Sequence, residues 1–203
     1  MSRIGILLFD GVEELDFVGP YEVFTMTNEV FGRTGEKRPH DVMLIAERQA
    51  PITCAKGMQV VPHTTIAENE SLDILLVPGG QGTRREVENT ALLAWIARVS
   101  ANAQWVTSVC TGTLLLAAAG PARSKRVTTH WAFAETLRGR REVGEVLEGV
   151  RYVRDGNLVT AAGVSAGIDM ALWLVGQLHG AAVARKVQRA MEYDPAPPYA
   201  AEI

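Results

Sequence analysis

Short apolar runs, broken by polar, glycine-rich and proline-rich stretches, organise this chain. Arg3 to Phe9 (RIGILLF) ends at Asp10-Gly11 and reads as a buried strand. Asp41 to Ala46, Leu72 to Val77 and Trp105 to Val109 repeat the pattern. The third of these runs stops at Pro78-Gly79-Gly80, and Arg126 to Thr129 adds a shorter strand. Ile52 to Thr65 is a looser β segment, with Gly57 as a turn and Pro62 marking an edge. Helical spacing appears between these runs. Leu92, Leu93, Ile96 and Val99 share one side of a helix over 90–101. Thr111 to Ala119 reads as a helix up to Gly120-Pro121. Gly19 and Pro20 fit a cap and first turn, with the helix continuing over Glu22 to Val30. Further helices are expected from about His130, over Ile168 to Leu178 and over Ala181 to Met191. Val150 to Arg154 and Asn157 to Ala161 flank Asp155-Gly156, a hairpin signal. The proline-rich tail from Asp194 to Pro198 cannot continue the last helix.

Buried strands alternating with helices predict an α/β fold, with a mostly parallel central sheet covered on both faces. No repeat, low-complexity tract or linker divides the 203 residues, so one domain over 1–203 is expected.

Composition narrows the function. A 47% hydrophobic content supplies a real core. The net charge of −3, with no concentrated basic segment, gives no support for a nucleic-acid partner. Arg138, Arg140 and Arg141 are followed by Glu142 and Glu145 and read as a solvated helix end. The N-terminus lacks the apolar region and cleavage site of a signal peptide. The best apolar run, Met170 to Val175, is too short to span a membrane. Cys54 and Cys110 form neither a disulfide framework nor a zinc pattern, which suits a reduced, cytoplasmic setting. No histidine pair has helical metal spacing, so neither metal nor cofactor is expected.

Candidate chemistry centres on Cys110. The stretch Val106 to Leu114 (VTSVCTGTL) passes straight from strand to helix. Such a turn places its middle side chain at the carboxyl edge of the sheet, where open α/β folds bind ligands. Ser108 and Gly112 are the small neighbours that a nucleophile elbow requires. A following helix N-terminus should favour the thiolate. Gly79 and Gly80 end a strand at the same edge, and the N–H groups of Gly80, Cys110 and Thr111 are candidates for binding developing negative charge. A proton-handling partner could come from Glu13, Glu14 or Asp16, which the pattern does not separate, although Asp16 lies between apolar Leu15 and Phe17. His130 could also face the edge, or pack as a helix-start histidine under Trp131. For Trp131 and Trp173 the default expectation is core.

Four stretches make the chain resemble the ThiJ/PfpI family, within the class I glutamine amidotransferase-like fold: GVEELDFVGPYEVF (11–24), LVPGG (76–80), SVCTGTLLLAAAG (108–120) and KRVTTHW (125–131). GVSAGIDMAL (163–172) and EYDPAPPY (192–199) are especially similar to its isocyanide (isonitrile) hydratase branch. The resemblance implies a flavodoxin-like sandwich, a homodimer and a small-molecule substrate. It implies Cys110 as nucleophile, Asp16 as its hydrogen-bonded acid, Thr111 beside it and Gly80 as the oxyanion-type glycine. The chain departs from PfpI-type proteases, which place histidine where Thr111 stands. It also lacks the late His-x-Glu of glutamine amidotransferases: His179 is followed by Gly180-Ala181. His130 thereby moves to a pocket role with Trp131. The resemblance also leaves room for a glyoxalase-like or other thiol-dependent activity, for a ligand-sensing domain, and for a thiol redox sensor.

Overall fold

The computed structural model describes residues 1–195. Seven strands form the central sheet: β1 (Ser2–Leu7), β2 (His40–Ala46), β5 (Thr64–Thr65), β6 (Ile74–Val77), β7 (Trp105–Val109), β10 (Tyr152–Asp155) and β11 (Leu158–Ala161). Their spatial order is β10-β11-β7-β6-β1-β2-β5, and only the β10–β11 pair is antiparallel. Two small sheets lie outside it. One joins β3 (Ile52–Thr53) to β4 (Gln59–Val60), and the other joins β8 (Arg126–Val127) to β9 (Glu145–Val146).

Helices cover both faces, as a parallel sheet buried on both sides requires. On one side α1 (Glu14–Gly32), α6 (Ala166–His179) and α7 (Ala181–Ala190) pack on one another. On the other lie α2 (Thr83–Glu86), α3 (Thr90–Ser100) and α4 (Gly112–Ala119). A short α5 (Ala134–Gly139) packs on β9. β6 and β7 are buried at every position, so they read as continuous apolar runs rather than alternating ones. The anticipated α/β architecture is present.

Three local expectations need correction. The first helix starts at Glu14, with Pro20 inside it, rather than at Pro20. Its start is fixed from outside: the Glu13 N–H donates to the Gly79 carbonyl (2.9 Å) and Val12 bridges to Gly80. Asp16 therefore sits in a helical first turn. The strand expected over Arg126 to Thr129 spans only Arg126–Val127 and lies in a small sheet with β9. In the hairpin, Asp155 pairs with Leu158, so the turn is Gly156-Asn157, with Gly156 supplying a φ of 66°. The last three residues of the 194–198 tail, and EYDPAPPY beyond Pro195, lie outside the described residues.

Candidate active site

Only Cys110 and Thr111 separate β7 from α4. The chain must turn within those two residues, and Cys110 adopts a φ of 57°, in the left-handed region that side chains rarely enter. Neighbouring groups hold it there. The Cys110 N–H donates to the Ala161 carbonyl of β11 (3.0 Å), and the Cys110 carbonyl accepts from the Thr129 hydroxyl (2.8 Å). At Gly112 a side chain would collide with the Val77 carbonyl, so α4 can start this close to β6 only with glycine there. The Ser108 and Thr113 hydroxyls share a hydrogen bond (2.8 Å), which ties the strand to the helix.

Asp16 meets this turn from the first turn of α1. It has no exposure at all. One carboxylate oxygen accepts from the Gly79 N–H (2.8 Å) and the other from the Val164 N–H (3.1 Å). The Cys110 thiol is close enough to favour the ionised form of Asp16. Val164 holds a φ of 45°, an outlier for a β-branched residue, and that backbone carries the N–H that meets Asp16.

Burial dominates the electrostatics. It pushes the Asp16 carboxyl up to about 7, against the opposing Gly79 N–H and with help from the Glu13 charge. Burial, followed by the Asp16 charge, also pushes the Cys110 thiol up to about 12. The N–H and hydroxyl of Thr111 pull the thiol the other way but do not win. The expected thiol-lowering helix terminus is thus present and outweighed. The Asp16 charge opposes ionisation of the thiol, while the thiol favours the Asp16 carboxylate, so the two behave as one titrating pair that loses its first proton near 7.

The remaining candidates divide. Thr111 lies beside the sulfur, as the elbow suggested. Gly79 and Gly80 reach the site, but in roles other than the one foreseen. The Gly79 N–H goes to Asp16, the Gly80 N–H to the Thr111 hydroxyl (2.9 Å) and the Cys110 N–H to Ala161. Of the three proposed anion donors, only the Thr111 N–H is left to act on the thiol, which it pulls down. A side chain at Gly79 would lie 2.5 Å from the Thr111 nitrogen and 2.9 Å from the Asp16 carboxylate, so this glycine permits the close approach. Glu13 and Glu14, half-buried rather than solvated, both face the exposed Lys56. That separates Asp16 from the other two acids.

His130 is half-buried. Its Nδ1 accepts from the Ala132 N–H (3.3 Å), and its ring packs over Gly163. Trp131 is 78% exposed, which overturns the expectation of a core residue. Trp173 is partly buried against Trp105 and Tyr152. A cavity of about 280 Å³ is lined by Thr129, His130, Trp131, Val150, Gly163 and Val164. Neither Cys110 nor Asp16 lines it, but two of its lining residues touch them: Thr129 bonds the Cys110 carbonyl and Val164 bonds Asp16. A larger cavity of about 690 Å³, at Asp10, Glu47, Arg48 and Arg85, is lined by neither Cys110 nor Asp16. Among the described residues, no group of three or more His, Cys, Asp and Glu side chains could hold a metal ion. Cys54 is buried, and burial pushes its thiol up to about 11.

Sequence reasoning missed Val164, Thr129 and Thr83. Val164 contributes only a backbone N–H, and a positive φ at valine leaves no sequence signal. The hydroxyls of Thr129 and Thr83 act on a carbonyl and on Thr111, contacts that only folding creates.

Comparison with known proteins identifies the family and the fold. The DJ-1/PfpI family model matches residues 2–177. Isonitrile hydratase of Pseudomonas putida is 42% identical over 197 residues, covering 97% of this chain and 81% of that protein. A ThiJ/PfpI family protein from Pseudomonas syringae superposes with a TM-score of 0.87 at 33% identity, covering 98% of this chain and 78% of that one. DJ-1beta of Drosophila melanogaster shares the fold, with a TM-score of 0.79 at 22% identity, covering 96% of this chain and all of that one. With its elbow cysteine, its buried acid and a family match spanning nearly the whole length, the chain belongs to the DJ-1/PfpI family.

Proposed function

We propose that this protein hydrates isonitriles, R–NC, to N-substituted formamides. The observation that carries the proposal is the buried Asp16–Cys110 pair, whose first proton leaves near 7. The similarity to isonitrile hydratase supports it.

An isonitrile carbon accepts a soft nucleophile and needs a proton as it does so. In the reactive form of the pair, Cys110 is the thiolate and Asp16 holds the proton. Sulfur attacks the terminal carbon while Asp16 protonates that same carbon, giving the thioimidate S–CH=N–R and an Asp16 carboxylate. The carboxylate takes a proton from water as the water oxygen bonds to carbon, and passes it to nitrogen. The resulting S–CH(OH)–NH–R collapses. Its hydroxyl proton returns to Asp16, the C–S bond breaks, and the formamide leaves with the pair restored. Thr111 stabilises sulfur charge through its N–H and hydroxyl. His130 and Trp131 line the cavity that receives R. No step requires a cofactor.

The proposal extends to a homodimer in the cytoplasm, where a nucleophilic thiol stays reduced. Turnover of an aryl isonitrile to its formamide is expected for the wild type and abolished in Cys110→Ala. kcat/KM should rise with pH through about 7, as the pair loses its first proton. Chromatographic assay of the formamide tests this. Absence of product from the wild type, or equal product from Cys110→Ala, would overturn it.

A further inference from the structure

Arg84 is the least explained charge near the nucleophile. It is exposed on the short α2, directly after Gly80 to Thr83. Its Nη1 donates to the Gly80 carbonyl (3.0 Å), and its guanidinium lies 4.5 Å from the centre of the Phe133 ring. The same Gly80 oxygen accepts from the hydroxyl of Thr111 (3.3 Å), the residue after the nucleophile, which pulls the Cys110 thiol down. Arg84 is therefore linked through one carbonyl to the hydroxyl of the residue that follows Cys110. Phe133 belongs to the 131–133 turn that carries Trp131, and its ring packs against His130 (6.3 Å).

Other cations around this edge are already matched. Lys56 faces Glu13, Arg85 faces Glu86, Arg138 faces Glu148, and Arg151 faces Asp169. Arg84 faces no carboxylate among the described residues; a carbonyl and an aromatic face position it instead. Those contacts fix the planar group and leave donors over, because a guanidinium carries five N–H bonds. An aromatic face and a neutral carbonyl leave its charge uncancelled, whereas a carboxylate would cancel it and accept two parallel hydrogen bonds.

We propose that Arg84 recognises a carboxylate on the R group, so that the preferred substrates are short, carboxylate-bearing isonitriles. This inference rests on the hydratase reading for the reaction, but not for the recognition. Asp16 and Glu13 oppose an anion at this edge. Asp16 is neutral in the reactive form of the pair, and Glu13 is matched by Lys56. The carboxylate is thus drawn to the α2 side, away from both acids.

Two measurements test the proposal. The first compares kcat/KM for isocyanoacetate with that for isocyanoacetamide, which differ in charge but little in size. The anionic-to-neutral ratio should fall about tenfold or more in Arg84→Gln and recover partly in Arg84→Lys. Using a ratio removes any general loss of folding or turnover. The second compares alkylation of Cys110 by iodoacetate and by iodoacetamide, read by mass spectrometry of the Cys110 peptide. It needs the nucleophile but no hydratase chemistry, and the same fall in ratio is expected. Ratios in Arg84→Gln within about twofold of wild type in both assays would overturn the proposal. A falling alkylation ratio without isonitrile turnover would uphold anion recognition and defeat the hydratase reading. Isonitrile turnover with both ratios unmoved would do the reverse.

Discussion

Asp16 and Cys110 are both out of water, which makes both harder to ionise, and the Asp16 charge opposes ionisation of the thiol further. Holding Asp16 in this place destabilises the fold at neutral pH. Its folded value, about 7, lies above its ordinary 3.8. The neutral acid is therefore the form the fold prefers: its contribution is complete below pH 4 and is lost as pH rises through about 7. At about 1.4 kcal/mol per unit, the loss is on the order of 4 kcal/mol. Asp16→Asn removes this titration but turns an amide NH₂ toward the Gly79 or Val164 N–H, a fixed penalty of about 1–3 kcal/mol. The expected result is a variant whose stability relative to wild type improves by several kcal/mol between pH 4 and pH 8, while turnover is lost. Urea unfolding at both pH values checks this, and a pH-independent difference would refute it. Cys110 was legible from its spacing between Ser108 and Gly112. Asp16 was not separable from Glu13 and Glu14 by pattern, because burial, which distinguishes them, arises only when α1 closes over the elbow. The direction of the Cys110 shift was misjudged for the same reason. A helix terminus can be read from sequence, but the depth at which the thiol sits beneath it cannot.

Between elements, the site depends on how closely three chain segments approach. Gly79 lies where the end of β6, the start of α4 and the first turn of α1 converge. A methyl group there would press on the Thr111 nitrogen, the Thr111 hydroxyl and the Asp16 carboxylate together. The nearest of them, the Thr111 nitrogen at 2.5 Å, is backbone and cannot swing aside, so the segments must part. Gly79→Ala should lose about 1–3 kcal/mol of stability, as overpacking does. It should also lower kcat/KM about 100-fold or more, since misplacement by about 1 Å costs that much. Thermal melts and initial rates measure the two effects, and a variant with wild-type turnover would show that the approach is not required. The sequence displayed this element only in part. Pro78-Gly79-Gly80 was legible as a strand end, and its glycines as permissive of close contact. Where their N–H groups go was not, because it depends on the non-local pairing of residues 11–13 with 79–82. The same pairing starts α1 at Glu14, six residues before the proline that seemed to mark its first turn.

For the molecule as a whole, the parallel sheet was readable because buried strands advertise themselves as continuous apolar runs. What covers the outer surface was not. Trp131 reads as a core residue by type, yet it is exposed, as are Leu15, Val18, Met58, Val61 and Val150. These side chains fall on connected segments. Leu15 and Val18 lie in the first turns of α1, and the Ala55 N–H on the β3–β4 hairpin donates to the Val12 carbonyl just before that helix (2.8 Å). Met58 and Val61 lie on or beside the same hairpin, while Trp131 and Val150 border the cavity next to Asp16 and Cys110. Exposed apolar side chains on segments that border an active-site edge, a tryptophan among them, have the composition of a protein–protein contact. A homodimer formed through this face would cover it and narrow the mouth of the cavity. Sedimentation equilibrium should then give the mass of two chains for the wild type. Val18→Glu combined with Val61→Glu should weaken the dimer at least about tenfold, since each buries a charge without a partner. A wild-type mass of one chain would rule the dimer out, and a double variant that associates as tightly as wild type would place the contact elsewhere; either would leave Trp131 to the substrate alone.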